Sequence, residues 1–342
     1  MAEIYKAFLP DDVIQGDIQT ISQPIWSENM NPFSASYASG IGFYTASSQV
    51  SQSGDYYVNV YHRDPSTSTN AQVQFAVAYG HRFGSGSVGD PNTVGNNAND
   101  TPSRAIYSQY RNMLLPPTDR VFTINNASAN EILVLNVARS RFRQKIDPGN
   151  WELRFGSGSA NWATSYISLI DGSGAGEVYS INEAGRVFGI YSGSGGVTAS
   201  SQQYGLFYPD QGIIVLHAGY LRTNAGIPFD SASAVQARNH VTMSARISGS
   251  SYFAARSEEK VTSTHFFVRI TNSQFNFSNN PTFVTGSTGA FLHPSMLRNP
   301  SVYVTTIGMY DDMNRLLAVA KLSKPLLKTF NREALVKVKL DY

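Results

Sequence analysis

Histidine is the first residue type to question, because imidazole serves both as a metal ligand and as a general base. The chain has six: His62, His81, His217, His240, His265 and His293. None stands in an H-x-x-x-H or H-E-x-x-H spacing, so the pattern does not predict zinc. There is no G-x-S-x-G elbow to announce a Ser-His-Asp nucleophile, and no pair of acids stands out as a glycosidase dyad. Gly84-Ser85-Gly86-Ser87-Val88-Gly89 matches G-x-G-x-x-G after an expected strand. However, Asp90-Pro91 and further loop residues occupy the place where a dinucleotide site needs a helix. DGSGAGE, Asp171 to Glu177, offers Asp171, Ser173 and Glu177 as oxygen donors. Calcium wants more carboxylates than these two, and a turn between strands accounts for the stretch better. The expectation is a non-enzyme with no catalytic residue, no metal, no cofactor and no small-molecule substrate.

Two other patterns suggest contact rather than catalysis. Arg139, Arg141, Arg143 and Lys145 recur at every second position. If one strand runs through them, four cations line a single face. Such a face is either an edge blunted against aggregation or a surface for an acidic partner. The last residues, LVKVKLDY, alternate Val336, Val338, Leu340 and Tyr342 with Lys337, Lys339 and Asp341, the period of a strand with one dry face. Its expected neighbour is SVYVTTIGMY or RLLAVAKLS in the chain's own sheet. The other reading is strand addition to a neighbouring subunit.

Composition fits a protein that works by being bound. Of 342 residues 42% are hydrophobic, while 15% are charged against about 25% in an average soluble domain. Short polar side chains replace the missing charge, alongside 19 Tyr and 19 Phe. A net charge of +2 gives no reason to expect nucleic acid or an anionic membrane as partner. The chain contains no cysteine, and the opening MAEIYKAFLPDD lacks the basic start and apolar run of a secretion signal.

The elements expected to position these residues are mostly short antiparallel strands with serine-glycine turns between them. DYYVNVYHR, AQVQFAVAYGHRF, NEILVLNVARSRFRQKI, SYISLI, RVFGIY and GIIVLHAGYL read as strands, and SVYVTTIGMY with RLLAVAKLS as a hairpin around DDMN. Helices are expected over Ser103 to Leu115 and Ser231 to Ile247, the second extending into SSYFAARSEEK. Residues Gly84 to Ser103 read as a long exposed loop. The predicted fold is therefore mainly β, sandwich-like, with a few short helices and two or more packed subdomains. The expected division is 1–150, with a helix near 103–115, and 151–342, with a helix near 231–247 and a C-terminal sheet.

SEEKVTSTHFFVRITNSQFNFSNNPTFVTGSTG (Ser257 to Gly289) and SVYVTTIGMYDDMNRLLAVAKLSKPLLKTFNREALVKVKLDY (Ser301 to Tyr342) resemble virion structural proteins of large contractile-tailed bacteriophages, of the marine and cyanobacterial myovirus type. IYKAFLPDD and SRAIYSQYRNMLL with DPGNWEL resemble the same proteins, so the likeness touches both ends and the middle. It implies a structural role in the tail, most specifically a wedge-type baseplate component. The partners it implies are other tail or baseplate proteins or further copies of the chain. The implied location is the virion, after assembly in the host cytoplasm. A neck or head-vertex component, a receptor- or glycan-binding tail-fibre adhesin and a tail-associated hydrolase are the alternatives. The adhesin lacks visible repeats, and the hydrolase lacks a dyad.

Overall fold

The computed structural model describes residues 5–16, 18–26, 44–45, 57–84, 102–157, 165–176, 179–231, 239–250, 252–278, 281–286 and 288–342. Its strands begin with β1 (Val13–Gln15), β2 (Gln19–Pro24), β3 (Tyr44–Thr45), β4 (Tyr57–Tyr61) and β5 (Val73–His81). Helix α1 (Pro102–Leu114) precedes β6 (Phe122–Ile124), β7 (Ala127–Ala129), β8 (Glu131–Val137), β9 (Lys145–Gly156) and β10 (Tyr166–Asp171). Then come β11 (Ser180–Asn182), β12 (Gly185–Ser194), β13 (Val197–Tyr208), β14 (Ile213–His217), α2 (Ala218–Asn224) and α3 (Asn239–Ser250). The chain closes with β15 (Phe253–Val261), β16 (Ser263–Ile270), α4 (Ser295–Arg298), β17 (Ser301–Tyr310), β18 (Leu316–Thr329) and β19 (Ala334–Asp341). The fold is mainly β and antiparallel, as the strand pattern predicts.

It forms two compact units, Ile21–Glu259 and Met1–Thr20 with Lys260–Tyr342. The boundary expected at 150/151 falls instead inside β9. That strand pairs with β15 on both sides of it, at Ile146↔Ser257 and Trp151↔Ala255. The second unit is assembled from the two ends of the sequence: Val13 lies opposite Phe266, and Ile14 opposite His265.

In Ile21–Glu259 one large sheet runs in the order β2-β15-β9-β10-β12-β13-β14-β8-β5-β4-β3, with β11 beside β12. Strands distant in that order meet across the interior. The Phe75 ring on β5 lies 5.3 Å from Phe253 on β15, and Trp26 touches both rings while its indole N–H donates to the Phe253 carbonyl at 2.6 Å. The sheet is therefore curled, and α3 packs against β9 on one side and β4 and β5 on the other. On the opposite face Tyr107 and Leu114 of α1 bury with Ile132, Val134 and Val215. The helix passes so near β5 that a side chain at Gly80 would meet the Tyr107 backbone nitrogen at 3.0 Å. Strand β8 has both faces covered, Leu133 and Leu135 on one and Ile132 and Val134 on the other. That explains its continuous apolar run where a half-wet strand would alternate.

Three local expectations change. SSYFAARSEEK does not extend α3: the helix stops at Ser250, and Phe253–Val261 is a strand paired with β9. GIIVLHAGYL is half strand and half helix, because His217 Nδ1 accepts the Tyr220 N–H at 3.3 Å and caps α2. The cationic stretch contains a 3-10 turn at Arg139–Arg141 and no continuous strand. The first part of the helix expected at Ser231, residues 232–238, and most of the loop expected after Gly84 lie outside the described residues.

Candidate interaction surface

The four cations of the alternating row are not presented together. The 3-10 turn rotates Arg139 back on itself, so that its Nη1 donates to the Phe142 carbonyl at 2.6 Å and its guanidinium sits 4.6 Å from the Phe142 ring centre. Arg143 is exposed, and its backbone N–H donates to Ser257 Oγ at 2.8 Å. Lys145 is buried, with Nζ 2.8 Å from Glu258 Oε1, its register partner on β15. The single face required one strand through all four residues, and the turn breaks that strand. Lys145 is a buried ion-pair partner and does not belong to a docking surface.

The closing strand is held by its own chain, along its whole length, by β16 and not by the hairpin. Ala334 pairs with Ile270, Val336 with Val268, Val338 with Phe266 and Leu340 with Thr264. The predicted alternation holds as far as Leu340: Val336 is buried and Val338 and Leu340 half-buried, while Lys337 and Lys339 are exposed. Tyr342, which the same spacing places on the dry face, is instead 68% exposed, because it lies past the end of the strand. Tyr342 is tied by main-chain bonds in both directions with Thr262, each 3.0 Å, and its hydroxyl lies 3.1 Å from Thr264 Oγ1. Lys337 stacks its ammonium 5.6 Å over Phe267, and Lys339 pairs with Asp341 at 3.1 Å.

The hairpin expected around DDMN is present as β17 and β18, a two-stranded sheet of its own. Its turn is held by Asp311, whose carboxylate accepts the Arg315 N–H at 2.7 Å, Arg315 Nε at 2.6 Å and the Met313 N–H at 3.0 Å. Those bonds, the Arg315 N–H first, hold its carboxyl below the usual aspartate range. Asn314 takes the left-handed conformation that such a turn needs, with φ 61°. No residue from 301 to 327 is buried. Tyr303 is 65% exposed, Leu317 61%, Val319 58% and Met313 at the tip 76%. A two-stranded hairpin is at best marginally stable in water without a third strand or a packed face. Apolar side chains left outside on an arm of this length need something to cover them. Sequence periodicity predicted the hairpin but not how much of it stays exposed, since alternation reads the same whether or not a face finds a partner.

Asp171 is buried and satisfied from within. Its carboxylate accepts the Gly149 N–H at 2.8 Å and the Ser173 N–H at 2.9 Å, and it also accepts from Ser173 Oγ, which closes the turn expected there as a 3-10 turn; Glu177 lies outside the described residues. His217 stacks on Tyr220, ring centres 4.1 Å apart. Glu131 is buried beneath Arg222, Oε1 to Nη2 2.9 Å, and burial raises its carboxyl above the usual range while Arg222 acts against that shift. Among the described residues no three His, Cys, Asp or Glu side chains gather as a metal site. Sequence reasoning passed over Lys328, which is wholly covered although it is a lysine. The apolar residues around it in PLLKTF were the signal that could have found it.

Compared with known proteins, the chain matches no family model, no curated protein and no solved structure.

Proposed function

We propose that this chain is a structural subunit of a contractile-tailed bacteriophage particle, a wedge-type baseplate component that acts through protein–protein contacts. The observation that carries the reading is the β17–β18 arm, two strands with apolar side chains outside and no buried residue from 301 to 327. Obligate assembly contacts typically bury on the order of 2,000 Å² or more and are richer in apolar surface than transient ones, which is the cover such an arm lacks. The resemblance of Ser257 to Gly289 and Ser301 to Tyr342 to myovirus virion proteins supports the same reading, and most of that likeness falls on the unit that carries the arm. The low charge and many tyrosines suit a surface buried against neighbours.

Antibody labelling of purified phage particles, viewed by electron microscopy, tests this. Label at the baseplate is the expected result. Label at the neck, head vertex or fibre tips overturns the placement, and absence from the particle overturns the structural role.

A further inference from the structure

Lys328 is fully covered, and its ammonium reaches three neutral oxygens: Asn272 O at 3.0 Å, Asn276 Oδ1 at 3.0 Å and Thr329 O at 3.1 Å. No carboxylate is among them. A covered cation is ordinarily paired with an acid, so without one this lysine gives up its proton more readily than an exposed lysine does. Burial lowers its pKa, and the more distant charge of Glu333 works the other way. The amide beside it is held in place as well. Asn276 Nδ2 donates to the Asn272 carbonyl at 2.8 Å, the same oxygen that receives Lys328 Nζ. One carbonyl thus gathers the amine and the amide nitrogen beside the Asn276 side-chain carbonyl. Phe275, the residue before, takes a left-handed backbone with φ 52°, unusual for a bulky side chain and of the kind that clusters at functional sites. Just after Asn276, the rings of Phe277, Phe283 and Phe291 pack on one another with centres 5.1 to 6.2 Å apart.

We propose that Lys328 and Asn276 are the two halves of an intramolecular amide cross-link. The lone pair of neutral Nζ attacks Asn276 Cγ and a Nζ–Cγ bond forms. The Cγ–Nδ2 bond breaks, its electron pair leaves with Nδ2, and Nδ2 departs as ammonia carrying a proton given up by Nζ. Nothing is oxidised or reduced, and no co-reactant is needed. Two groups held in contact react as though at very high concentration, which is what makes so slow a reaction feasible inside a folded chain. The product joins residues 52 apart in sequence. It ties the loop after β16 to the root of β18, the strand that runs out into the exposed arm, so a pull on the arm would be borne by a covalent bond.

Mass spectrometry of the denatured full-length chain tests this. The chain should be lighter than its sequence mass by one ammonia. A tryptic digest should contain a branched peptide joining the Asn276 and Lys328 segments, uncut after Lys328. Asn276→Ala and Lys328→Arg should each return to the full mass of their own sequence. The reading does not depend on either variant folding, because the native chain carries the signal. A native chain at full sequence mass, cut by trypsin after Lys328, overturns the proposal. So does an ammonia loss that persists in Asn276→Ala.

Discussion

Lys145 and Glu258 face each other across the β9–β15 ladder at 2.8 Å, with 7% and 10% of their side chains exposed. The pair joins two strands more than a hundred residues apart in sequence. Removing one partner of a buried pair strands the other charge and costs about 3–5 kcal/mol, whereas replacing both by apolar residues is often near neutral. Glu258→Leu alone should therefore lower unfolding stability by about 3–5 kcal/mol, and Lys145→Met with Glu258→Leu should recover most of that loss. Urea titration of the three chains measures it. Equal stability of the single variant and the native chain would mean that the pair is solvated.

Glu131 sets a pH dependence on the acid side. Its folded pKa is raised above the ordinary 4.5, mainly by burial. The folded chain therefore keeps a proton that the unfolded chain gives up. The stability this contributes is complete below the unfolded value and is lost as pH rises through the folded one. The stability of the native chain relative to Glu131→Gln should fall as pH is raised from about 4.5 and level off once the carboxyl is ionised. Denaturant midpoints across that range check the slope, and a pH-independent difference would show that Glu131 titrates alike in both states.

The arm should matter to assembly and hardly at all to the isolated chain. Leu317 and Val319 stand mostly in water, and substitutions at such positions usually change stability by less than about 0.5 kcal/mol. Leu317→Gln with Val319→Thr should leave the melting temperature nearly unchanged and sharply reduce incorporation into particles. A variant that melts early but still incorporates would reverse that assignment.

How far the sequence could be read depended on how local each signal was. The β17–β18 hairpin, α1 and the wet-and-dry alternation of Val336, Val338 and Leu340 are set by neighbours a few residues away, and periodicity showed them. The pairing of β1 with β16 brings residues from opposite ends of the chain together, and no local pattern carries it. Hence a boundary drawn near 150 cut through β9. FTINNASA shows the same limit at short range. Asn125 and Asn126 both take positive φ, 51° and 60°, and turn β6 into β7, though no glycine flagged a tight turn. Arg139 to Lys145 shows the opposite limit: a regular spacing continues through a turn that breaks the strand it would need, and the chemistry of Lys145 lies in Glu258, more than a hundred residues on.

Deleting Lys337 to Tyr342 is the sharpest test of the closing strand. The cut removes the partners of Ser263, Thr264, His265, Phe266 and Phe267 and leaves β16 with an open ladder on that side. It also removes Val338 and Leu340 from the dry face, both main-chain bonds between Tyr342 and Thr262, and the Asp341 carboxylate that accepts from Ser263 Oγ at 2.7 Å. Ser263 and Thr264 are buried polar residues, and a buried polar group left without its partner costs about 1–3 kcal/mol. The truncated chain should therefore be destabilised as a monomer, with the loss confined to the unit of Met1–Thr20 and Lys260–Tyr342. Hydrogen exchange resolves this by region: amides of β16 should lose protection while those of β8 and β14 keep it. If the truncated monomer keeps full protection in β16, the pairing of β19 with β16 does not hold the strand, and a donated strand becomes the better account.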